Sequence, residues 1–173
     1  MYLLHIDFTT PIKRNFFSNL IKKFQKTKYS HVRLRWINST KRELIYEASG
    51  SEVKFLGTIA QETHKSEIIK TYSIPLTKEE YRELVDTCME FAGIKYGVLQ
   101  VLGIALTTIF NLDKNPFSDD RKSQVCSELV GRVLERVKKY HIPYDLDVAG
   151  PKEIDKTLGE LMKDFPEIEL KNG

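Results

Sequence analysis

The chain has 173 residues, of which 41% are apolar, and a formal net charge of +3 at pH 7. This length can bury one proper core but is too short for two domains of typical size, so we predict a single domain over residues 1–173. The two cysteines, Cys88 and Cys126, lie at unrelated positions, and Met1–Thr10 holds Asp7 within only a brief apolar run. These features exclude a disulfide-framed secreted domain, and they predict a reducing, cytoplasmic setting with both thiols free.

Basic residues are concentrated at the start of the chain. Residues 1–42 carry ten Lys or Arg against one acid, whereas residues 43–173 carry seventeen against twenty-three. Such an asymmetry is found where a protein binds an anionic partner, for instance nucleic acid, an acidic polymer or a membrane surface. It is also found on an ordinary solvated helix face, and no Arg-rich tract or aromatic RNA-binding signature accompanies it. An anionic partner at the basic N-terminal region is therefore kept as an alternative.

The first half of the chain is predicted to be largely β. Alternation and turn residues indicate strands or extended segments at Tyr2–Phe8, Tyr29–Trp36, Glu43–Ala48, Ser51–Leu56 and Glu67–Ile74, with one helix at Asn15–Lys26. A second helix begins after Thr77, since Glu80 completes a capping box, and ends at Gly93. Cys88 lies late in the apolar stripe of this helix, so we predict a structural, buried thiol.

The segment Tyr96–Leu112 contains seventeen residues without a formal charge. A bilayer-spanning helix needs about 20 predominantly apolar residues, so no integral membrane span is expected and a buried helix is predicted. A role in binding lipid or an acyl chain remains an alternative for this segment. A polar loop, Asn115–Lys122, follows it, and Gly150-Pro151 introduces a last short helix.

Cys126 opens an amphipathic helix whose apolar residues recur with helical spacing up to Val137. The first turn of a helix has free backbone N–H groups and the positive end of the helix dipole, and both favour a thiolate over a thiol. A histidine, His31, begins a short alternating strand earlier in the chain. A nucleophile and a candidate base are therefore both present.

Burial predicts that Glu47 and His31 lie on the same surface of the sheet. If the apolar residues of the two strands Tyr29–Trp36 and Glu43–Ala48 share one face of a hairpin, His31 and Glu47 share the other, and a one-residue slip would mix both faces. A carboxylate on one imidazole nitrogen fixes the tautomer and supports the charge formed when the other nitrogen takes a proton. Arg33 and Arg35 lie on the same face, so an ordinary cross-strand charge pair is the alternative.

Four short motifs occur in order along the chain, namely Tyr-Ser-His-Val at 29–32, Tyr-Glu-Ala at 46–48, Gly-Ile-Lys-Tyr-Gly at 93–97 and Val-Cys-Ser-Glu-Leu-Val at 125–130. Together they resemble the circularly permuted NlpC-type branch of the papain-like cysteine hydrolases, which includes the YiiX/YebB-like bacterial proteins and the lecithin:retinol acyltransferase group. The resemblance implies that Cys126 is the nucleophile, His31 the general base and Glu47 the orienting group. Tyr96 would line the active site.

The resemblance also implies an α+β fold in which a small antiparallel, partly barrel-like sheet packs against the cysteine helix. We expect hydrolysis of an amide bond in a peptide, an isopeptide or a cell-wall cross-link, and a bacterial or phage origin fits this. A lipid or thioester acyl hydrolase or acyltransferase is one alternative, and a non-catalytic binding protein is another. The sequence lacks a metal-ligand cluster, a phosphate-binding glycine loop and a dinucleotide fingerprint, so no cofactor and no metal are expected.

Overall fold

The computed structural model describes residues 2–13, 16–57, 66–110, 112, 114–117 and 123–173. The strands are β1 (Tyr2–Pro11), β2 (His31–Ile37), β3 (Glu43–Ser49), β4 (Glu52–Leu56), β5 (Ser66–Leu76), β6 (Lys95–Tyr96), β7 (Ser123–Gln124) and β8 (Glu169–Asn172). The helices are α1 (Phe16–Gln25), α2 (Lys78–Phe91), α3 (Val98–Phe110), α4 (Cys126–Lys138) and α5 (Pro151–Asp164). A strand-rich first half is thus followed by helices, as the sequence predicts.

Within the described residues, eight strands form one sheet in the order β7-β6-β4-β3-β2-β1-β5-β8. Six of the seven strand pairs are antiparallel, and the pair of β6 and β7 is parallel. The predicted antiparallel sheet is confirmed. Its partly barrel-like closure is not found, because the edge strands β7 and β8 lie at opposite ends and are only two and four residues long.

The core lies between the sheet and the helices. In β1, Leu4, Ile6 and Phe8 alternate along the strand and are fully buried. Each side chain of this size stabilises the fold by roughly 1.5–3 kcal/mol when it leaves water. Helix α4 packs on β2 and β3 as well as on α2 and α5. The expected packing of the cysteine helix against the sheet is therefore confirmed.

Helix α2 has the start that the sequence predicts. The hydroxyl of Thr77 accepts a bond from the backbone N–H of Glu80 at 3.1 Å, and the Glu80 carboxylate accepts one from the Thr77 N–H at 2.8 Å. Cys88, late in this helix, has no exposed surface, and burial raises the pKa of its thiol. The prediction of a structural cysteine at this position is confirmed.

Helix α3 differs from the predicted buried helix. Val101 and Ile104 are buried, but Leu99 is 63% exposed. The helix therefore lies at the surface with one face covered. A long uncharged segment indicates that a helix can be buried, but it does not show which other elements pack against it. No helix among the described residues is long and apolar enough to cross a membrane.

Other predictions need smaller corrections. Helix α5 is fourteen residues long and not short. His5 lies in the interior strand β1, where its Nδ1 is 2.9 Å from the hydroxyl of Ser73. His141 is exposed, and His64 lies outside the described residues. The second half of the predicted loop Asn115–Lys122 also lies outside them.

Candidate active site

Cys126 is the first residue of α4, and its side chain is 4% exposed. The preceding residue, Val125, has extended backbone and makes no side-chain cap. Because valine has no polar group for the first-turn N–H groups, these remain available to the sulfur, and the N–H of Ser127 donates to it. The thiol thus sits at the electropositive helix start that the sequence predicts.

The hairpin of β2 and β3 brings His31 and Glu47 together. Leu34 pairs with Tyr46 and Trp36 pairs with Leu44, which is the register that the apolar alternation predicts. Nε2 of His31 lies 3.0 Å from Oε2 of Glu47, and the two side chains are 19% and 6% exposed. An imidazole and a carboxylate therefore meet at one nearly buried position.

Cys126 meets this pair where the two strands separate. The ladder between β2 and β3 ends at Leu34 and Tyr46. Beyond that point the backbone N–H of Val32 donates to the sulfur of Cys126, and the imidazole of His31 also forms a hydrogen bond with it. Since Nε2 of His31 faces Glu47, its Nδ1 is the atom left for the sulfur. The three side chains form a relay with the imidazole in the middle.

Each group in this relay favours the charged form of its neighbour. Burial alone would lower the pKa of His31, but Cys126 and Glu47 raise it to about 10. Burial alone would raise the pKa of Glu47, yet the hydrogen bond from His31 and the added bond from Ser49 lower it to about 2. Burial also opposes ionisation of Cys126, but His31 and the backbone N–H groups outweigh it and lower the pKa of the thiol. The favoured state is a thiolate beside an imidazolium.

The arginines of β2 do not displace His31 from Glu47. Arg35 donates two hydrogen bonds to Asp7, at 2.7 and 3.0 Å, and a third to Glu43. Nε of Arg33 is 3.6 Å from the same Asp7 carboxylate, which is fully buried. Sequence reasoning missed Asp7 as the counter-charge, although alternation in β1 places it on the face opposite to Ile6 and Phe8. Because Asp7 forms ion pairs with both guanidinium groups, the Glu47 carboxylate remains bound to the imidazole of His31.

Two further side chains complete the surroundings of the relay. The Ser49 hydroxyl donates to Oε1 of Glu47 at 2.5 Å, a contact that its position two residues further along β3 could have indicated. The parallel pairing of β6 and β7 places Tyr96 opposite Gln124. Gln124 is two residues before Cys126 in the chain. Burial, with Cys126 and Glu47 nearby, raises the pKa of the Tyr96 hydroxyl. Tyr96 therefore lies beside the sulfur.

A small pocket with a cavity volume of about 30 Å³ opens onto Cys126. Its apolar wall comes from α1, β6, α3 and the residue before the cysteine: Ile21, Phe24, Tyr96, Val101, Ile104 and Val125. The polar side chains in the lining are already bonded, since Ser127 donates to the carbonyl of Ala149 and Gln25 bridges to α5. The space next to the sulfur is thus largely apolar.

The relay is poorly arranged for a metal ion. Ligands of a metal point their free lone pairs at one common centre. Here the imidazole of His31 stands between the other two groups, and each of its nitrogens already faces one of them. Across the described residues, no group of three or more His, Cys, Asp or Glu side chains could hold a metal ion.

No protein-family model matches the sequence, and no curated protein matches it. A solved structure does resemble the fold: that of the metalloprotein YiiX from Escherichia coli O157:H7, with a TM-score of 0.57 and 20% sequence identity. The likeness covers 100% of this chain and 88% of that chain. At this identity it concerns the fold and carries no activity or metal across. The chain has a YiiX-like fold.

Proposed function

We propose that this chain is a cysteine hydrolase that works through a covalent acyl-enzyme and prefers an apolar acyl group. The supporting observation is the Cys126–His31–Glu47 relay, with the thiol pKa lowered and the imidazole pKa raised. A structural cysteine gains nothing from such surroundings, and Cys88 shows the opposite behaviour. The proposal includes the permuted papain-like assignment, in which the histidine precedes the cysteine along the chain.

The chemistry would proceed in two steps. The thiolate of Cys126 attacks the substrate carbonyl carbon, a C–S bond forms, and the imidazolium of His31 gives its proton to the leaving atom as the bond to that atom breaks. Water then attacks the thioester carbonyl while His31 accepts its proton, and the C–S bond breaks. This releases a carboxylic acid and restores the thiolate of Cys126 and the imidazolium of His31. Glu47 holds the imidazole and supports its positive charge in both steps.

The backbone at the start of α4 would stabilise the oxyanion. The N–H of Cys126 lies at the helix terminus, where the dipole favours developing negative charge. One such donor typically contributes about 3 kcal/mol to the transition state. Val125 offers no side-chain oxygen that would compete for this N–H.

The pocket supports an apolar acyl group. Val101 and Ile104 of α3 and Phe24 of α1 line the space that opens onto the sulfur. The lining beside the sulfur is apolar, which suits an aliphatic chain better than a polar cross-link. A lipid ester or thioester is therefore our first substrate class. Hydrolysis of an amide bond, which the sequence favours, stays a prediction, and the anilide substrates described below test it.

The test compares p-nitrophenyl acetate with p-nitrophenyl octanoate, together with the anilides of the same acids. We expect faster turnover of the octanoyl compounds and an acyl mass increment on the peptide that contains Cys126. Cys126→Ala should abolish both, while Cys88→Ala, the matched cysteine control, should retain both. Octanoyl turnover that survives in Cys126→Ala would refute the proposal.

Two further variants separate the chemistry from the pocket. His31→Ala should abolish turnover while circular dichroism stays native, and loss of the fold would instead indicate a structural histidine. Val101→Phe should lower kcat/KM for the octanoyl ester at least tenfold and leave the acetyl ester nearly unchanged, because the larger ring fills the pocket. An equal loss for both esters would contradict an acyl-binding role.

A further inference from the structure

Helix α1 is amphipathic, but its apolar stripe is covered only in part, since Ile21 and Phe24 line the pocket at Cys126 whereas the first turn is exposed. Its apolar residues lie at positions 16, 17, 20, 21 and 24, a spacing that forms one stripe along a helix. Such a stripe normally packs against the rest of the protein. In this helix the buried residues are Ser18 and Gln25, whereas Phe16 is 75% and Phe17 47% exposed.

Polar contacts hold the helix in this orientation. The hydroxyl of Ser18 lies 2.6 Å from that of Ser30. The amide of Gln25 donates to Glu153 and accepts from the backbone N–H of Lys152, both at 3.1 Å. These buried contacts on the polar side fix which face of α1 is turned outward. The packing of the helix therefore determines that Phe16 and Phe17 are exposed.

Helix α3 extends the same surface. It contacts α1, and both helices contribute side chains to the pocket at Cys126. Leu99 and Leu102 of α3 are exposed. Of the eleven large apolar residues that are most exposed in the described chain, seven lie on α1, on α3 or in the segments beside them. Exposed apolar side chains on two contacting helices that share one pocket indicate a binding surface.

The charge around this patch is positive. Lys13, Lys23, Lys26 and Lys28 are exposed on α1 and its flanks. The sequence holds no acid between residues 8 and 42, and α3 has no charged residue. A face that combines exposed aromatic and leucine side chains with lysines fits the boundary between the headgroups and acyl chains of an anionic membrane.

We propose that α1 and α3 form a docking surface for an anionic lipid bilayer. Phe16, Phe17 and Leu99 would enter the interface while the lysines contact the headgroups. A second copy of the chain fits less well, because it would bring two basic clusters together. Nucleic acid fits less well too, because it would use the lysines and the two phenylalanine rings but leave Leu99 and Leu102 in water. Membrane docking does not require a reaction at Cys126, although it would bring the pocket at Cys126 close to the lipids.

The test uses co-sedimentation of the full chain with phosphatidylcholine vesicles, with and without phosphatidylglycerol. We expect binding to the anionic vesicles that weakens as salt rises. Phe16→Ser/Phe17→Ser should weaken it at least tenfold. Ile37→Ser/Met89→Ser is the matched control, since these side chains are 57% and 62% exposed elsewhere, and should bind like the parent protein.

A fluorescent reporter gives an independent measurement. The chain has one tryptophan, Trp36, and it is buried. A Phe17→Trp variant should therefore show a blue shift on anionic vesicles, whereas Ile37→Trp should not. Cys126→Ala should still bind, so docking can succeed or fail separately from hydrolysis.

Three results would overturn the docking proposal. The first is equal binding by the Phe16→Ser/Phe17→Ser variant and the parent protein. The second is a parent dimer in ultracentrifugation that this variant converts to a monomer, which would assign the face to a second copy. The third is salt-dependent binding to nucleic acid without binding to vesicles.

Discussion

Replacing Glu47 by glutamine removes the charge that supports the imidazolium while keeping the shape of the side chain. Glu47 accepts hydrogen bonds from His31 at 3.0 Å and from Ser49 at 2.5 Å. The glutamine oxygen can still accept one of these bonds, but it offers no negative charge. We expect the pKa of His31 to fall and that of the Cys126 thiol to rise, because the two groups ionise as a pair.

The size of the effect follows from the pKa of Glu47, which is lowered from 4.5 to about 2. At 1.36 kcal/mol for each pKa unit, that difference amounts to about 3 kcal/mol. His31, Ser49 and Arg33 together lower the pKa of Glu47, and burial raises it. By linkage, the ionised Glu47 stabilises the imidazolium by on the order of 1–3 kcal/mol. The thiol pKa should therefore rise by about one to two units in Glu47→Gln.

Alkylation by iodoacetamide measures this directly, because the thiolate is the reacting form. The rate at Cys126 is followed against pH by mass spectrometry of its peptide, with Cys88 as the internal reference. We expect the parent protein to react well below the ordinary thiol pKa of about 8.5. In Glu47→Gln the midpoint should move upward by about one to two pH units.

The matched control is Glu43→Gln, which removes a carboxylate from the same strand. Glu43 is bound by Arg35 and is more exposed than Glu47, so its loss should leave the alkylation profile unchanged. The reasoning is refuted if Glu47→Gln and the parent protein give superimposable profiles. It is also refuted if Cys126 reacts no faster than Cys88 near neutral pH.

Three further predictions concern stability. Gly150→Ala should cost about 1–3 kcal/mol in thermal denaturation, because its Cβ would lie 1.7 Å from the Gln25 amide, whereas Gly57→Ala has open space and should cost little. Asp7→Asn should lower the free energy of unfolding in urea by about 3–5 kcal/mol, since it leaves two guanidinium groups without their buried counter-charge; a loss below 1 kcal/mol would contradict this. Because the folded pKa of Glu47 lies below its ordinary value, its contribution is present above pH 4.5 and is lost as pH falls toward 2. Urea midpoints across that window should fall less in Glu47→Gln than in the parent protein, and equal falls would count against this.

Local spacing was enough to predict several parts of the candidate site. Alternation in β2 and β3 predicts that His31 and Glu47 share one face, since a one-residue slip in the register would mix polar and apolar residues on both faces. Helical spacing after Cys126 predicts a thiol in the first turn. Both arguments depend on residues close together in the chain, where backbone geometry decides which side chains are neighbours. The structure has both features.

Features that depend on distant segments could not be predicted in this way. The choice of Arg33 and Arg35 between Glu47 and Asp7 depends on β1 lying next to β2. The position of Tyr96 depends on a two-residue parallel pairing that is too short to leave a pattern.

The sequence by itself determined which residues share a strand face or a helix stripe, because these follow from the periods of the backbone. It also determined the thiol's place at a helix start and the excess of lysine near α1. Only the tertiary structure decided what covers each face. The first turn of the α1 stripe faces outward while Ile21 and Phe24 line the pocket, because buried polar bonds from Ser18 and Gln25 fix how the helix lies on the protein. The periodicity of the sequence defines the apolar face of a helix or strand, but the elements that pack on this face come from parts of the chain that are distant in sequence.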